Sequence, residues 1–238
     1  MNLIEAYLKY FNQLIILLIG YPCTNKSSYA KDLCIDSSLN IINLNDYLIK
    51  DKYIEKVFTD VSNNNKEIKF KIYEDSQNID WLKFNDDINN LKSSGVVIHC
   101  NFMDKDKINF DIDLAFYFYT PIKYCKDIIS NNNLLNLEKK DINHYFEFVF
   151  IPFYSNYDQN IKNIFTIYKF FKINETSNND DIYNTLFDVI MNNLQSKINK
   201  KFNINTNKRI TKNNKKVNNK KVNNKKNIKS NKKNNNKK

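Results

Sequence analysis

Leu14-Ile15-Ile16-Leu17-Leu18-Ile19-Gly20-Tyr21-Pro22-Cys23-Thr24-Asn25-Lys26-Ser27-Ser28 is the stretch that decides the fold. An unbroken run of Leu and Ile from Leu14 to Ile19 offers no polar face. It therefore predicts a strand buried on both sides, of the kind parallel sheets use. Gly20 and Pro22 end that strand, and a helix is expected from about Lys26 to Leu33. A doubly buried strand that turns at once into a helix opens a β-α-β unit, which places the chain among α/β folds.

The turn itself carries chemistry. Gly20 to Ser27 matches the phosphate-binding pattern G-x-x-x-x-G-K-[ST] at every fixed position except the second glycine, which is Asn25. In that pattern successive backbone N–H groups and the helix N-terminus wrap the phosphates of a nucleotide. Lys26 would reach the β and γ oxygens and Ser27 would bind Mg²⁺. Gly20, Cys23, Thr24, Asn25, Lys26, Ser27 and Ser28 are accordingly the expected nucleotide-binding residues. Asn is the least costly replacement where a left-handed conformation is needed, although its side chain crowds the phosphates. The bland alternative is an ordinary strand-to-helix turn, and the flanking strand and helix weigh against it.

Outward from this loop the same alternation continues. Met1 to Phe11 has helical spacing at Leu3, Ile4, Tyr7, Leu8 and Phe11. Short strands are predicted at Ile41 to Leu44, Val96 to Cys100, Leu114 to Tyr119 and Ile164 to Phe171, and helices at Asp46 to Phe58, Trp81 to Leu91, Pro121 to about Ser130, Ile142 to Phe150 and Asp181 to Ile198. A strand or hairpin arm is expected at Ile68 to Tyr73, Gly95 reads as a helix stop, and 131–140 reads as a polar loop. The expected fold is a P-loop NTPase-type, five-stranded parallel sheet flanked by helices, with a small lid and a basic tail.

The order of further landmarks resembles the uridine kinase branch of the P-loop nucleoside kinases, over roughly residues 14–170. Ile42-Asn43-Leu44-Asn45-Asp46-Tyr47 is similar to that family's second-strand segment, "S-L-D-D-F-Y", whose first Asp is the catalytic base and whose aromatic lies by the substrate. Ile79-Asp80-Trp81, with Ile88, Leu91 and Gly95-Val96-Val97-Ile98, resembles its "F-D-W/F" helix and third strand. Pro121-Ile122-Lys123-Tyr124-Cys125-Lys126-Asp127 resembles the "R-x-x-R-D" helix that leads into the lid, and His144 to Phe153 resembles "Q-Y-x-x-F-V-x-P-x-F".

The resemblance implies an ATP- and Mg²⁺-dependent phosphotransferase acting on a nucleoside-like small molecule, uridine or cytidine kinase-like. By alignment the base position holds Asn45, with Asp46 beside it. Either the register shifts by one and Asp46 is the base and a Mg²⁺ ligand, or base catalysis is lost. Where the family places arginines this chain offers Lys123, Lys126, Lys139 and Lys140, and Tyr47 takes the substrate-side aromatic position. Lysine supplies charge without the two-pronged grip of arginine. The second reading is thus a catalytically degenerate relative retained as a nucleotide- or nucleic-acid-binding protein.

Charge is distributed unevenly. Residues 200–238 hold 15 lysines, Arg209 and no acid, which leaves 21 basic against 26 acidic residues, a net −5, in the expected domain 1–199. Without apolar surface to offset chain entropy, the tail reads as disordered and suited to nonspecific contact with nucleic acid or another polyanion. The four cysteines form no C-x-x-C pair and imply neither zinc nor a disulfide framework. His99, His144, the Phe116-Tyr117-Phe118-Tyr119 run and Asp86-Asp87 all read as structural. No apolar run reaches the roughly 18–20 residues of a membrane span, so the expected setting is cytoplasmic. The Asn- and Lys-rich composition matches that of AT-rich genomes, giant viruses among them, and for a viral protein this would be the host cytoplasm.

If the tail acts through phosphate contact, full-length protein will be retained on RNA or DNA at low salt and released steeply as salt rises, while a 1–199 truncation will not be retained. Equal retention of the two proteins on a polyanion column would refute this.

Overall fold

The computed structural model describes residues 2–60, 66–72, 75–132 and 139–202, with backbone only at 60, 66, 68, 71, 139 and 140. Five strands form one parallel sheet: β1 (Ile15–Gly20), β2 (Asn40–Asn43), β5 (Val96–Cys100), β6 (Leu114–Tyr119) and β7 (Ile167–Lys172), in the order β2-β5-β1-β6-β7. The central strand β1 is buried at every position, as its unbroken apolar run demands. It pairs with β5 from Ile15↔Val96 to Ile19↔Cys100 and with β6 from Ile16↔Leu114 to Gly20↔Phe118.

Helices cover the sheet: α1 (Leu3–Phe11), α2 (Lys26–Ser37), α3 (Trp81–Leu91), α4 (Ile122–Asn131), α5 (Lys139–Tyr145) and α6 (Ile151–Ile164); after β7 the chain is helical again from 179 (α7). The start of α1 is closed by a capping box, with the Asn2 side chain accepting from the Glu5 N–H at 2.8 Å and Glu5 accepting from the Asn2 N–H at 3.0 Å. Asp113 then ties this helix to the sheet, accepting from the Tyr7 hydroxyl at 3.0 Å and the Ile15 N–H at 2.9 Å.

Two expectations need correction. The helix expected over Asp46 to Phe58 is instead a short 3₁₀ turn, Leu44–Tyr47, followed by a β-hairpin of β3 (Ile54–Asp60) and β4 (Lys66–Ile72). Asp51 adopts a left-handed conformation with φ of 60°, which an α-helix cannot accommodate. Ile54, Val57, Phe58 and Thr59 then find an antiparallel partner that the helix reading ignored. The arm expected at Ile68 to Tyr73 falls on β4, with Tyr73 outside the described residues.

The second correction concerns Ile142 to Phe150, where the helix does not stop. It begins at Lys139, widens into a π turn at Phe146–Phe150 and continues as α6 to Ile164, so β7 begins only at Ile167. The π turn accounts for the passage through Pro152. An uninterrupted α-helix would lose a hydrogen bond at proline and clash with the preceding turn; the wider turn, closed by the Ile151 N–H on the Phe146 carbonyl, relieves that conflict. Phe148 of this turn stacks on Phe58 of the hairpin at 4.9 Å, and Tyr145 meets Phe70 edge-on at 5.8 Å.

The chain divides into two units, 1–191 and 192–238. In the second, 192–202 is helical, so Lys200, Lys201 and Phe202 of the expected tail 200–238 lie in a helix, and the rest of that tail, from 203 onward, lies outside the described residues. Among the described residues no helix is long and apolar enough to cross a membrane, and none of the four cysteines is joined in a disulfide.

One contact sets the end of β1. A Cβ on Gly20, whose φ is 137°, would lie 1.9 Å from the Phe118 carbonyl oxygen, which is backbone and cannot yield. Gly20→Ala is expected to destabilise the fold by roughly 3 kcal/mol or more. Gly95→Ala, which would press only on the end of the Leu39 side chain, is expected to lose about 1–2 kcal/mol. Urea unfolding of both variants checks this, and equal losses would contradict it.

Candidate functional site

Placing β1 in the centre, with β2 and β5 on one side and β6 and β7 on the other, opens a crevice at the carboxyl ends of the strands. The loop leaving β1 occupies it. Cys23 and Asn25 both take left-handed conformations, each with φ of 61°, so the position where the phosphate-loop pattern has its second glycine does require positive φ here. Asn25 caps α2 with its backbone only, receiving the Ser28 and Tyr29 N–H groups at 3.0 and 3.2 Å, and its side chain makes no capping bond. The first N–H groups of α2 thus remain available to an anion at the positive end of the helix dipole.

Lys26 is the buried charge of the loop, 6% exposed. Its ammonium donates to the Tyr21 carbonyl, to Thr24 Oγ1 at 3.1 Å and to Asn101 Oδ1 at 3.3 Å. Thr24, itself buried, donates to the same Tyr21 carbonyl at 2.7 Å. Tyr21 therefore anchors two polar side chains of the loop, Thr24 and Lys26, and its own N–H bonds the Phe118 carbonyl at 2.8 Å.

Above the loop lies a cleft of about 540 Å³. One wall is Cys23, Thr24, Asn25, Lys26 and Ser27; a second is Asn43, Asn45, His99, Cys100 and Asn101 from the ends of β2 and β5; the third comes from Tyr124, Ile128 and the segment after β7. That segment is stiffened by the Asn174 side chain, which accepts from the Thr176 N–H at 3.0 Å and the Ser177 hydroxyl at 3.0 Å. It is tied to α2 by the Tyr29 hydroxyl, which donates to Asn179 at 2.8 Å. The volume suits a small phosphorylated ligand.

The expected site residues separate into those the cleft gathers and those it does not. Cys23 to Ser27 line it, Gly20 sits beneath as the close-approach residue, and Ser28 is the next residue of α2. At the end of β2 Asn45 lines the cleft, whereas Asp46 is exposed and lies beside it, 3.4 Å from the Asn43 amide. Tyr47 is buried against α3, edge-on to Phe84 at 5.1 Å, with its hydroxyl on Asp87 at 2.8 Å. Lys123 lines an adjoining hollow of about 250 Å³ with Tyr124 and Glu175, and Lys126 is half-buried on the next turn of α4. The side chains of Lys139 and Lys140 lie outside the described residues.

The cleft also takes in residues the sequence reading did not assign to the site: His99, which it read as structural, with Asn101, Asn43, Tyr124 and 173–179. All but Tyr124 stand at or just past the end of a parallel strand, and that position was the available signal. Burial and then the nearby Lys26 ammonium hold the His99 imidazole below its ordinary value, with Asp46 pulling the other way. Burial pushes the Cys100 thiol up to about 12 and the Cys34 thiol up to about 11, which makes both poor nucleophiles. Among the described residues no group of three or more His, Cys, Asp or Glu side chains could hold a metal ion. Mg²⁺ asks for less, since it keeps several waters and takes one or two protein ligands alongside substrate phosphates. Ser27, facing the cleft, fits that modest demand.

No family model matches the chain, and no curated protein matches it by sequence. Among solved structures, the chain is similar to shikimate kinase from Bacteroides thetaiotaomicron, at 12% identity and a TM-score of 0.40, covering 77% of this chain and 95% of that one. It is also similar to a possible uridine kinase from Bacillus stearothermophilus, at 11% identity and a TM-score of 0.29, covering 71% and 98%.

The depressed His99 imidazole has a consequence for stability. The folded state binds its proton less readily than the unfolded chain, whose imidazole titrates near 6.5. Its share of stability is therefore fully present above about pH 6.5 and falls as pH drops through the window below. His99→Gln should flatten the loss of urea stability between pH 7 and pH 5; an unchanged slope would show that His99 does not contribute.

Proposed function

We propose that the protein transfers a phosphoryl group from ATP to a hydroxyl of a nucleoside-like small molecule. The observation that carries this reading is Lys26. It is a buried lysine at the N-terminus of α2, on the floor of a cleft walled by the loop that follows the central strand. Phosphoryl transfer depends mainly on positioning and on charge placed against the phosphate oxygens, and a helix N-terminus with a lysine provides both.

In this reading the backbone N–H groups from Cys23 to Ser27 and the Lys26 ammonium bind the phosphates. To reach them Lys26 exchanges one or more of its oxygens on Tyr21, Thr24 and Asn101 for phosphate oxygen. Ser27 holds Mg²⁺, which when bound neutralises charge on the phosphates. Asp46, the carboxylate at the end of β2, accepts the proton of the acceptor hydroxyl, and Lys123 with Lys126 faces the transferred group from α4. The 200–238 tail adds a second, nonspecific attraction for polyanions.

Isothermal titration of the full chain with MgATP tests the reading. Lys26→Ala should lose most of the affinity, about 100-fold from the charge-assisted bonds removed. Asn25→Gly should bind at least as tightly, since glycine meets the left-handed conformation without a side chain over the phosphates. In a phosphotransfer assay with nucleosides, Asp46→Asn should keep ATP binding and lose transfer. No binding of ATP or GTP at millimolar concentration would overturn the proposal.

A further inference from the structure

We propose that Asp158 and Tyr21 form a positioning clamp that holds the phosphate-binding loop in its anion-ready shape, an inference that rests on the nucleotide-binding reading above. Asp158 lies on α6 and is half-buried beneath the loop. Its carboxylate accepts two phenol hydroxyls, one oxygen taking Tyr21 at 2.6 Å and the other taking Tyr117 of β6. Both rings are buried, with Tyr21 6% and Tyr117 2% exposed. A carboxylate that receives two buried phenols fastens α6 to the first residue of the loop and to the adjacent strand through charge-assisted bonds, the stronger class of hydrogen bond.

The two tyrosines differ in what they can transmit. Tyr117 lies within β6, its backbone held by ladders to β1 and β7 on either side, so losing its hydroxyl leaves the strand in place. Tyr21 lies past the end of β1, and its carbonyl receives both Lys26 and Thr24. Any rotation of the Tyr21 peptide moves the acceptor that sets where the Lys26 ammonium sits. Its ring is also gripped from the α6 side, tilted against Tyr154 at 4.5 Å and edge-on to Phe150 at 5.7 Å, so the clamp joins an apolar seat to one polar fastening. Burial first, and then the Asp158 carboxylate, raise both phenols above their ordinary value, which keeps them protonated and donating.

Tyr21 and Asp158 are positioning residues, since they act on phosphate through the loop. The experiment titrates MgATP into full-length wild type, Tyr21→Phe, Tyr117→Phe, Asp158→Asn and Asp158→Ala, with thermal unfolding measured on each. Removing only the Tyr21 hydroxyl keeps the ring in its seat and should weaken ATP about tenfold, whereas Tyr117→Phe should stay within about twofold of wild type. Both should lower the melting temperature to a similar degree. Asp158→Asn, which keeps one carbonyl oxygen to accept a phenol, should fall between wild type and Asp158→Ala. If Asp158→Ala does not fold, the Tyr21→Phe and Tyr117→Phe pair still decides the matter.

Wild-type affinity retained in Tyr21→Phe, or an equal loss in Tyr117→Phe, would overturn the clamp while leaving the nucleotide-binding reading intact. Absence of ATP binding in the wild type would overturn both.

Discussion

The head of the sheet depends on how closely β1 approaches β6 at Gly20. The gap to the Phe118 carbonyl admits no side chain, and that closeness lets the next N–H, of Tyr21, bond the same carbonyl at 2.8 Å. The strand is thereby held to its neighbour up to the residue where the loop departs. From that fixed point the chain must turn into α2 within a few residues, and it does so through two left-handed residues, Cys23 and Asn25. A non-glycine residue in that conformation stores strain of order 1–3 kcal/mol, which persists only where the surroundings enforce it. Here the surroundings are β6 on one side and the first turn of α2 on the other.

Beneath the loop the enforcement is aromatic. Tyr21, Phe150 and Tyr154 pack in one cluster, with Phe146 against Phe150 at 4.6 Å. The π turn at Phe146–Phe150 brings these rings together, because widening the helix lets α5 and α6 form one continuous rod past Pro152. The same rod carries Phe148 to the hairpin and Tyr157 to the Met103 backbone, where its hydroxyl donates to the carbonyl at 3.2 Å. A single helical element thus braces the loop, the chain after β5 and the hairpin.

Charge in the cleft is sparse but concentrated. The 1–199 part of the chain is net acidic at −5, yet the cleft floor holds a buried ammonium and the open end of a helix. In such surroundings a point charge and backbone dipoles act more strongly than they would in water. Lysine supplies this charge as a point ammonium, without the planar fork with which arginine grips phosphate from two sides.

The sequence by itself determined the five parallel strands, the strand-loop-helix at Leu14 to Ser28 and the lysine of its loop, because apolar runs and their terminating turns are written in consecutive residues. Only the tertiary structure decided that Ile54 to Asp60 is a hairpin arm, since the partner that outweighs its helical spacing is another segment of chain. Only the tertiary structure likewise carried the helix through Pro152, by a change of pitch that has no signature of its own in composition. The cleft walls at His99, Asn101 and 173–179, and the fastening of Tyr21 to Asp158, join residues as far as 150 positions apart. Their chemistry depends on which strands lie side by side, and sheet order is set by packing across the whole domain and by no local stretch of sequence.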